Sequence, residues 1–496
     1  MLERIKNDQL KEKVMEAEKA AKFIKDGMNV VTSGFTPAGY PKAVPLALAE
    51  RIEKGEKLKI NLFTGASVGD ELDGILSRKG AVARRYPYQS NGNMRKNINS
   101  GDTLYKDMHL SHVAQQVRYG FFGNVDVAIV EALEITEDGN IIPTTSLGNT
   151  PTYVQEADKI IVEVNTSQPD ELKGIHDVYI PKDPPNREPI PLVKPDDIIG
   201  TKYVPLDIDK VAAVVVTDIP DNVRDLAPID EDSKKMANHL IEFLKEEVAE
   251  GRLPENLLPI QSGVGAVANA VLGGLVESDF ENIDFYSEVI QDSVFDLIDA
   301  GKIRVASGTS LTPSKKGLKR LFDNIEKYSE KIILRPQEIS NNPEIARRLG
   351  SIAINTAIEV DIYGNVNSTN LLGSRMMNGI GGSGDFARNA FLTVFTTKSL
   401  GKGGKVSSVV PFVSHIDHTE HDVDVIVTEQ GLADLRGLSP RERAEEIIEN
   451  CVHPNYKDKI NNYYKKAIEE TGMHTPHMLD KAFSWHIQFE QTGSMK

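Results

Sequence analysis

Along most of the chain, short apolar runs end at glycine or a small residue and give way to stretches with helical spacing of apolar positions. Asn29 to Thr32 runs into Ser33-Gly34, Ile60 to Thr64 runs into Gly65, and Val125 to Val130 forms a further mostly apolar segment. Continuous apolar runs of this length are expected of strands buried on both faces, and their alternation with helices predicts α/β layers with open, mostly parallel sheets. The segment PKDPPNREPIPLVKPDD (181–197) holds too much proline for a helix or a central strand and reads as an interdomain connection.

The pattern also repeats. ALEITEDGNIIPTTSLGN (132–149) aligns without gaps to AIEVDIYGNVNSTNLLGS (357–374) with seven identities in eighteen positions, where chance supplies about one. Upstream, INLFTG (60–65) matches IDFYSE (283–288) in chemical type at every position but the last, and VVTSG (30–34) resembles PIQSG (259–263), in the same order. The repeat predicts two related α/β domains, 1–220 and 221–496, with ligands beyond the carboxyl ends of the strands.

A duplicated scaffold needs the same packing residues in both copies, so differences between the copies point to function. Glu288 stands where the first copy has Gly65. From the matched LLGS to the next predicted strand the second copy spends 13 residues (Ser374 to Ala387) where the first spends 8 (Asn149 to Ala157), and the extra length contains NGIGGSGD (378–385). Such glycines can present consecutive backbone N–H groups to an anion or a developing oxyanion.

Composition narrows the class. With 496 residues, 40% apolar and 26% charged, the chain can bury more than one core without disulfides or metals. The single cysteine, Cys451, excludes an internal disulfide and fits a reducing compartment, so a cytoplasmic protein is expected. The N-terminus lacks an apolar signal core, and no run approaches about 18 apolar residues, so no membrane span is expected. A net charge of -16 opposes nucleic-acid binding, and any phosphate site must be local. The tract ARRYPYQSNGNMRKNINSG (83–101) mixes residue types found in RNA-contacting loops, but on so acidic a chain it reads as an ordered loop against a cleft.

Several motifs admit more than one chemistry. Gly263-Val264-Gly265-Ala266-Val267-Ala268 opens a predicted helix, with Glu288 twenty residues beyond Ala268. This spacing approaches the dinucleotide fingerprint of a nicotinamide or flavin enzyme. A tight turn without ligand and a loop for another phosphate-bearing cofactor remain beside it. The second glycine loop favours a nucleophilic carboxylate over a ribose-binding acid, because only the nucleophile needs an oxyanion site. His415-Ile416-Asp417-His418-Thr419-Glu420-His421 contains metal-ligating residue types. Histidines at that spacing converge only on a helix, and the flanking sequence reads as strand, so polar turn residues are preferred and no metal is expected. Glu429 closes the apolar strand VDVIVT and Arg224 sits in the turn IPDNVRDL, positions open either to lining a cleft floor or to a surface salt bridge. Lys402 lies in a glycine-rich loop suited to a phosphate.

Taken together, SGFTPAGYPKAVP (33–45), ARRYPYQSN (83–91), QSGVGAVANA (261–270), YSEVIQDS (286–293), ISNNPEIARRLG (339–350), AIEVDIYGNVNST (357–369), GIGGSGDFARNA (379–390) and SHIDHTEHDVDVIVTEQGLADLRG (414–437) resemble the acetyl-CoA hydrolase/transferase family of class I CoA-transferases. The likeness is strongest to its succinyl-CoA:acetate-transferring members and runs over nearly the whole chain. It implies two CoA-transferase-like α/β domains with the site in the cleft between them, coenzyme A as substrate and covalent intermediate, and small carboxylic acids such as acetate as partners. It further implies a homodimer. Glu288 would be the nucleophile, on the second domain, and the backbone N–H groups of Val264 and Gly382 the oxyanion donors. Gly263, Val264, Gly265, Ala266, Val267, Asn341, Asn378, Gly382 and Lys402 would contact coenzyme A. Arg224, Ser67 and Ser90 would receive the substrate carboxylate, with Glu429 beside them. A thioester hydrolase on the same scaffold is the nearest alternative, and a nicotinamide-dependent oxidoreductase a more distant one.

Overall fold

The structure is a computed structural model that describes residues 2–223, 225 and 228–496. The chain divides into two compact units. The first comprises Met1–Asp225, Asp284–Ile298 and Ile303–Leu349, and the second Leu226–Ile283, Asp299–Lys302 and Gly350–Lys496.

In the first unit seven parallel strands are ordered Leu104–Tyr105, Val82–Tyr86, Ile60–Phe63, Asn29–Thr32, Val125–Ala132, Ala157–Asn165 and Val211–Thr217. The central strand Val125–Ala132 is buried at nearly every position, as its mostly apolar sequence requires when helices cover both faces. Val30, Leu48, Leu62, Leu72, Val127 and Ile161 share one core. Residues 181–197 form neither helix nor strand, but they pack inside this unit rather than linking domains. Arg348 donates to the carbonyls of Ile190 and Leu192 at 2.8 and 2.9 Å, which satisfies backbone that proline keeps out of any ladder.

In the second unit the strands Ile260–Ser262, Ile352–Thr356, Leu392–Thr396 and Val425–Val427 pair in parallel in that order, and Leu432–Asp434 closes the edge antiparallel. Its core includes Val360, Phe395, Ile426, Ile447 and the fully buried Cys451. No helix among the described residues is long and apolar enough to cross a membrane.

The repeat is visible in backbone register. Glu134 pairs with Ile142 and Ile135 with Ile141; at the aligned positions Glu359 pairs with Asn367 and Val360 with Val366. Both hairpins turn through glycine at positive φ, Gly139 at 84° and Gly364 at 95°, a conformation that costs any residue with a Cβ. The later alignment shifts, however. Ala387 does not begin a strand: Ser383–Ala387 winds as a helix and the strand starts at Leu392, so the glycine-rich insertion leads into an element and is not loop throughout.

His176 supplies a pH dependence. It is fully buried, its Nε2–H donates to the Thr144 carbonyl at 2.9 Å, and burial pushes its pKa down to about 4. The unfolded chain takes up a proton near 6.5, which the folded chain refuses until about 4. This contribution is therefore intact above pH 6.5 and lost as pH falls toward 4, amounting to roughly 3 kcal/mol at the acid end. Urea midpoints measured between pH 7 and 4 should fall less steeply in His176→Gln than in the wild type; equal slopes would refute the assignment.

Candidate active site

Glu288 follows the strand Ile283–Tyr286, whose line continues as Ser287 N–H donates to the Ser307 carbonyl at 3.0 Å. The chain then pairs Val289–Ile290 in parallel with Ser310–Leu311. Two amides, Thr309 at 2.8 Å and Ser310 at 3.1 Å, donate to the Glu288 carbonyl, so the nucleophile candidate rests on backbone fixed from both sides. Its side chain is 7% exposed. Asn341 Nδ2 donates to Oε1 at 3.2 Å and Ser287 Oγ to Oε2 at 3.2 Å. Donors on both oxygens orient the carboxylate.

At the matched position of the first copy, glycine is obligatory. A Cβ on Gly65 would lie 2.4 Å from the Gly34 carbonyl oxygen and 3.1 Å from Gln337 Oε1. The difference between the copies thus has a steric cause on the side of Gly65.

Ser67 and Ser90 meet each other in the same unit: their hydroxyl oxygens are 2.8 Å apart and the Ser90 amide donates to Ser67 Oγ at 3.1 Å. The loop that presents Ser67 is held by a fully buried pair not anticipated from sequence. Arg85 donates to Asp73 Oδ1 and Oδ2 at 2.8 and 2.9 Å and to the Ala66 carbonyl at 3.0 Å, while Asp73 Oδ2 accepts from the Val68 amide. Residues 83–101, read from sequence as a loop, include the end of the strand Val82–Tyr86, which carries Arg84 and Arg85, and the helix Gly92–Ser100; nothing local names Asp73 as the partner. Arg224 lies outside the described residues.

The remaining candidates belong to the second unit. Gly263 to Gly265 connects Ile260–Ser262 to the helix Ala266–Glu277, with Gly265 at φ 138°. The Gly263 amide is used by the Ile354 carbonyl at 3.0 Å, whereas Val264 is 56% exposed and its N–H takes no acceptor among the described residues. The N–H of Gly382, which precedes the helix Ser383–Ala387, likewise takes none. Asn378 is half-buried ahead of this turn. Lys402 holds a left-handed φ of 46°, and its Nζ stands 4.3 Å from the centroid of the Phe489 ring. Beside it opens a cavity of about 350 Å³ lined by Ile358, Leu371, Leu372, Arg375, Phe489 and Met495. Glu429 accepts from the Ser399 amide at 2.8 Å and from its hydroxyl. Burial opposes its charge, yet these bonds hold its carboxyl below the usual range.

Of the three histidines in the His415–His421 segment, His418 is buried, whereas His415 and His421 are exposed. His418 Nε2 is 3.1 Å from Ser383 Oγ under the glycine loop. The Asp417 carboxylate accepts from the Ser368 amide and Thr369 hydroxyl. Among the described residues no three histidine, cysteine or acidic side chains are grouped to hold a metal.

A succinyl-CoA:acetate CoA-transferase of Clostridium kluyveri is 58% identical over 99% of this chain and 92% of that protein. An acetyl-CoA hydrolase of Candida albicans is 45% identical over 98% of this chain and 95% of its own. The crystal structure of RipA from Yersinia pestis superposes with a TM-score of 0.73 at 21% identity, covering 92% of this chain and 98% of that one, and so shares the fold. The models of the acetyl-CoA hydrolase/transferase N-terminal and C-terminal domains match residues 2–216 and 317–464, and the chain belongs to the acetyl-CoA hydrolase/transferase family.

Proposed function

We propose that the protein is an acyl-CoA:carboxylate CoA-transferase that moves coenzyme A between succinyl-CoA or acetyl-CoA and a small acid such as acetate, through a thioester on Glu288. The observation that carries the reading is the buried Glu288 carboxylate, oriented by Asn341 and Ser287 where its sister copy tolerates only glycine. The relative from Clostridium kluyveri supports the choice of acids.

A carboxylate is a weak nucleophile toward a thioester, and a covalent route divides the barrier. A Glu288 oxygen attacks the acyl carbonyl, the carbon–sulfur bond breaks, and the coenzyme leaves as thiolate, giving an acyl-glutamyl anhydride. The thiolate then attacks the Glu288 carbonyl carbon and expels the first acid as its carboxylate. The second acid runs these steps backward from the glutamyl thioester. Each tetrahedral intermediate needs N–H donors, for which Val264 and Gly382 are assigned; losing one such donor costs about 2.7–4 kcal/mol of barrier. Arg224 is assigned to receive the free carboxylate, a task that a bidentate fork suits better than a lysine, and Ser67, Ser90 and Glu429 are assigned to the same step. Gly263 to Val267, Asn341 and Asn378 flank the coenzyme. Lys402, with its adjoining cavity, suits the phosphorylated adenosine end. A cytoplasmic homodimer completes the reading.

Hydrolysis of the same thioester by water is the second reading, favoured by the identity to the Candida albicans hydrolase. Thioester loss should require added acetate or another acid and should transfer its isotopic label into new acyl-CoA. Acid-independent loss at the full rate would establish the hydrolase instead.

A further inference from the structure

We infer that Arg118, Glu338 and Tyr286 are positioning residues for Glu288 that act through Asn341, an inference resting on Glu288 as the nucleophile. Asn341 is fully buried and follows a single helical turn, Gln337–Ser340. Four residues cannot hold a helix by their own hydrogen bonds, so the place of Asn341 is set by what grips that turn. The Arg118 Nη1 and Nη2 atoms donate to Glu338 Oε1 and Oε2 at 2.8 and 2.9 Å, the parallel fork in which guanidinium and carboxylate fix one another's plane as well as distance. Tyr286, two residues before Glu288 on its strand, donates its hydroxyl to the Ile339 carbonyl at 2.8 Å. The Gln337 amide donates to the Gly148 carbonyl at 2.8 Å.

The strand that carries the nucleophile and the turn that carries its amide partner are therefore joined directly at Tyr286. Arg118 supplies the outer anchor, and it is immobilised in turn: its side chain is 4% exposed, and it donates to Asp183 at 3.0 Å and to Thr152 Oγ1 at 2.9 Å. Burial raises the Glu338 pKa against the opposing pull of Arg118, and Glu338 itself is buried.

A fork that only stabilised the fold would lower activity by the same factor whether or not Asn341 were present. A fork that acts through Asn341 loses its effect once that amide is gone. The full-length enzyme is assayed as wild type, Glu338→Gln, Asn341→Ala and the double variant, for transfer from succinyl-CoA to acetate at saturating substrates. Glu338→Gln should lower kcat by about 10- to 100-fold, the range associated with displacing a reacting group by up to an ångström. In the Asn341→Ala background the same substitution should cost less than about twofold, since residues sharing one path are not additive. Tyr286→Phe, which removes one oxygen and leaves the ring in place, should lower kcat several-fold and show the same non-additivity. It carries the test if Glu338→Gln fails to fold. Equal fold-losses in the two backgrounds, or wild-type kcat in both Glu338→Gln and Tyr286→Phe, would overturn the inference. Glu288→Ala assayed in parallel separates the two claims: full activity there removes the nucleophile itself, whereas an inactive Glu288→Ala with an additive cycle removes only the positioning role.

Discussion

Glu288→Ala is expected to lose at least about 10⁴-fold in transfer rate, the scale on which enzymes fail when a covalent nucleophile is deleted. The substitution should be benign to the fold, because the Glu288 backbone is held by the Thr309 and Ser310 amides, which alanine retains. Glu288→Gln keeps the shape and the reach to Asn341 but offers no anionic oxygen, and it should be as inactive. Glu288→Asp retains the charge and withdraws it by about 1 Å or more, which costs about 10²-fold where alignment is this restricted. Incubation with acyl-CoA followed by borohydride reduction should convert the wild-type Glu288 side chain to an alcohol, detected by mass spectrometry of its peptide. An unreduced Glu288 together with an active alanine variant would end the glutamyl-thioester proposal.

Lys42→Met should unfold the protein more readily by about 3–5 kcal/mol, the cost of leaving buried charge without its partner. Lys42 is fully buried, and its Nζ reaches Glu131 at 2.6 Å, Asp221 at 2.9 Å and the Tyr40 carbonyl at 2.8 Å. Burial opposes its charge, but Asp221 and Glu131 more than offset that and raise its pKa. Glu131 sits at the other extreme: burial pushes its carboxyl up to about 7 even with Lys42 beside it. Without the ammonium, two buried carboxylates face each other, so the deficit should be larger at pH 8 than at pH 6, where Glu131 takes up a proton. Adding Glu131→Gln should recover part of the loss at pH 8. Urea titrations of the three proteins at both pH values provide the measurement. A Lys42→Met variant within about 1 kcal/mol of wild type would show that the cluster relaxes around the missing charge.

The same cluster illustrates what a sequence conceals. Lys42 lies in the conspicuous SGFTPAGYPKAVP segment, yet the carboxylates that neutralise it stand 89 residues away at Glu131 and later still at Asp221. Arg118 and Glu338 are 220 positions apart. No local spacing foretells such pairs, because strand order and register in the assembled sheet decide which side chains share a buried volume. The proline-rich 181–197 segment teaches the same lesson. Its composition excluded regular structure, but only the carbonyls offered to Arg348 place it within a unit.

Local physics, by contrast, was legible. Strand runs, glycine turns and the repeated hairpin follow from side-chain periodicity and from φ values that only glycine adopts freely, both of which act within a few residues. The repeat even carried register, with Glu134–Ile142 and Glu359–Asn367 paired alike, and it isolated Glu288 as the position where the copies part. Sequence by itself therefore determined the α/β layering, the duplication and the candidate nucleophile. Tertiary structure alone decided what holds that carboxylate, bringing Asn341 from 53 residues away to Oε1 and making Gly65 compulsory through the Gly34 carbonyl. Hydrogen bonds and steric exclusion act over a few ångströms, and distance along the chain does not record which groups the fold brings that close.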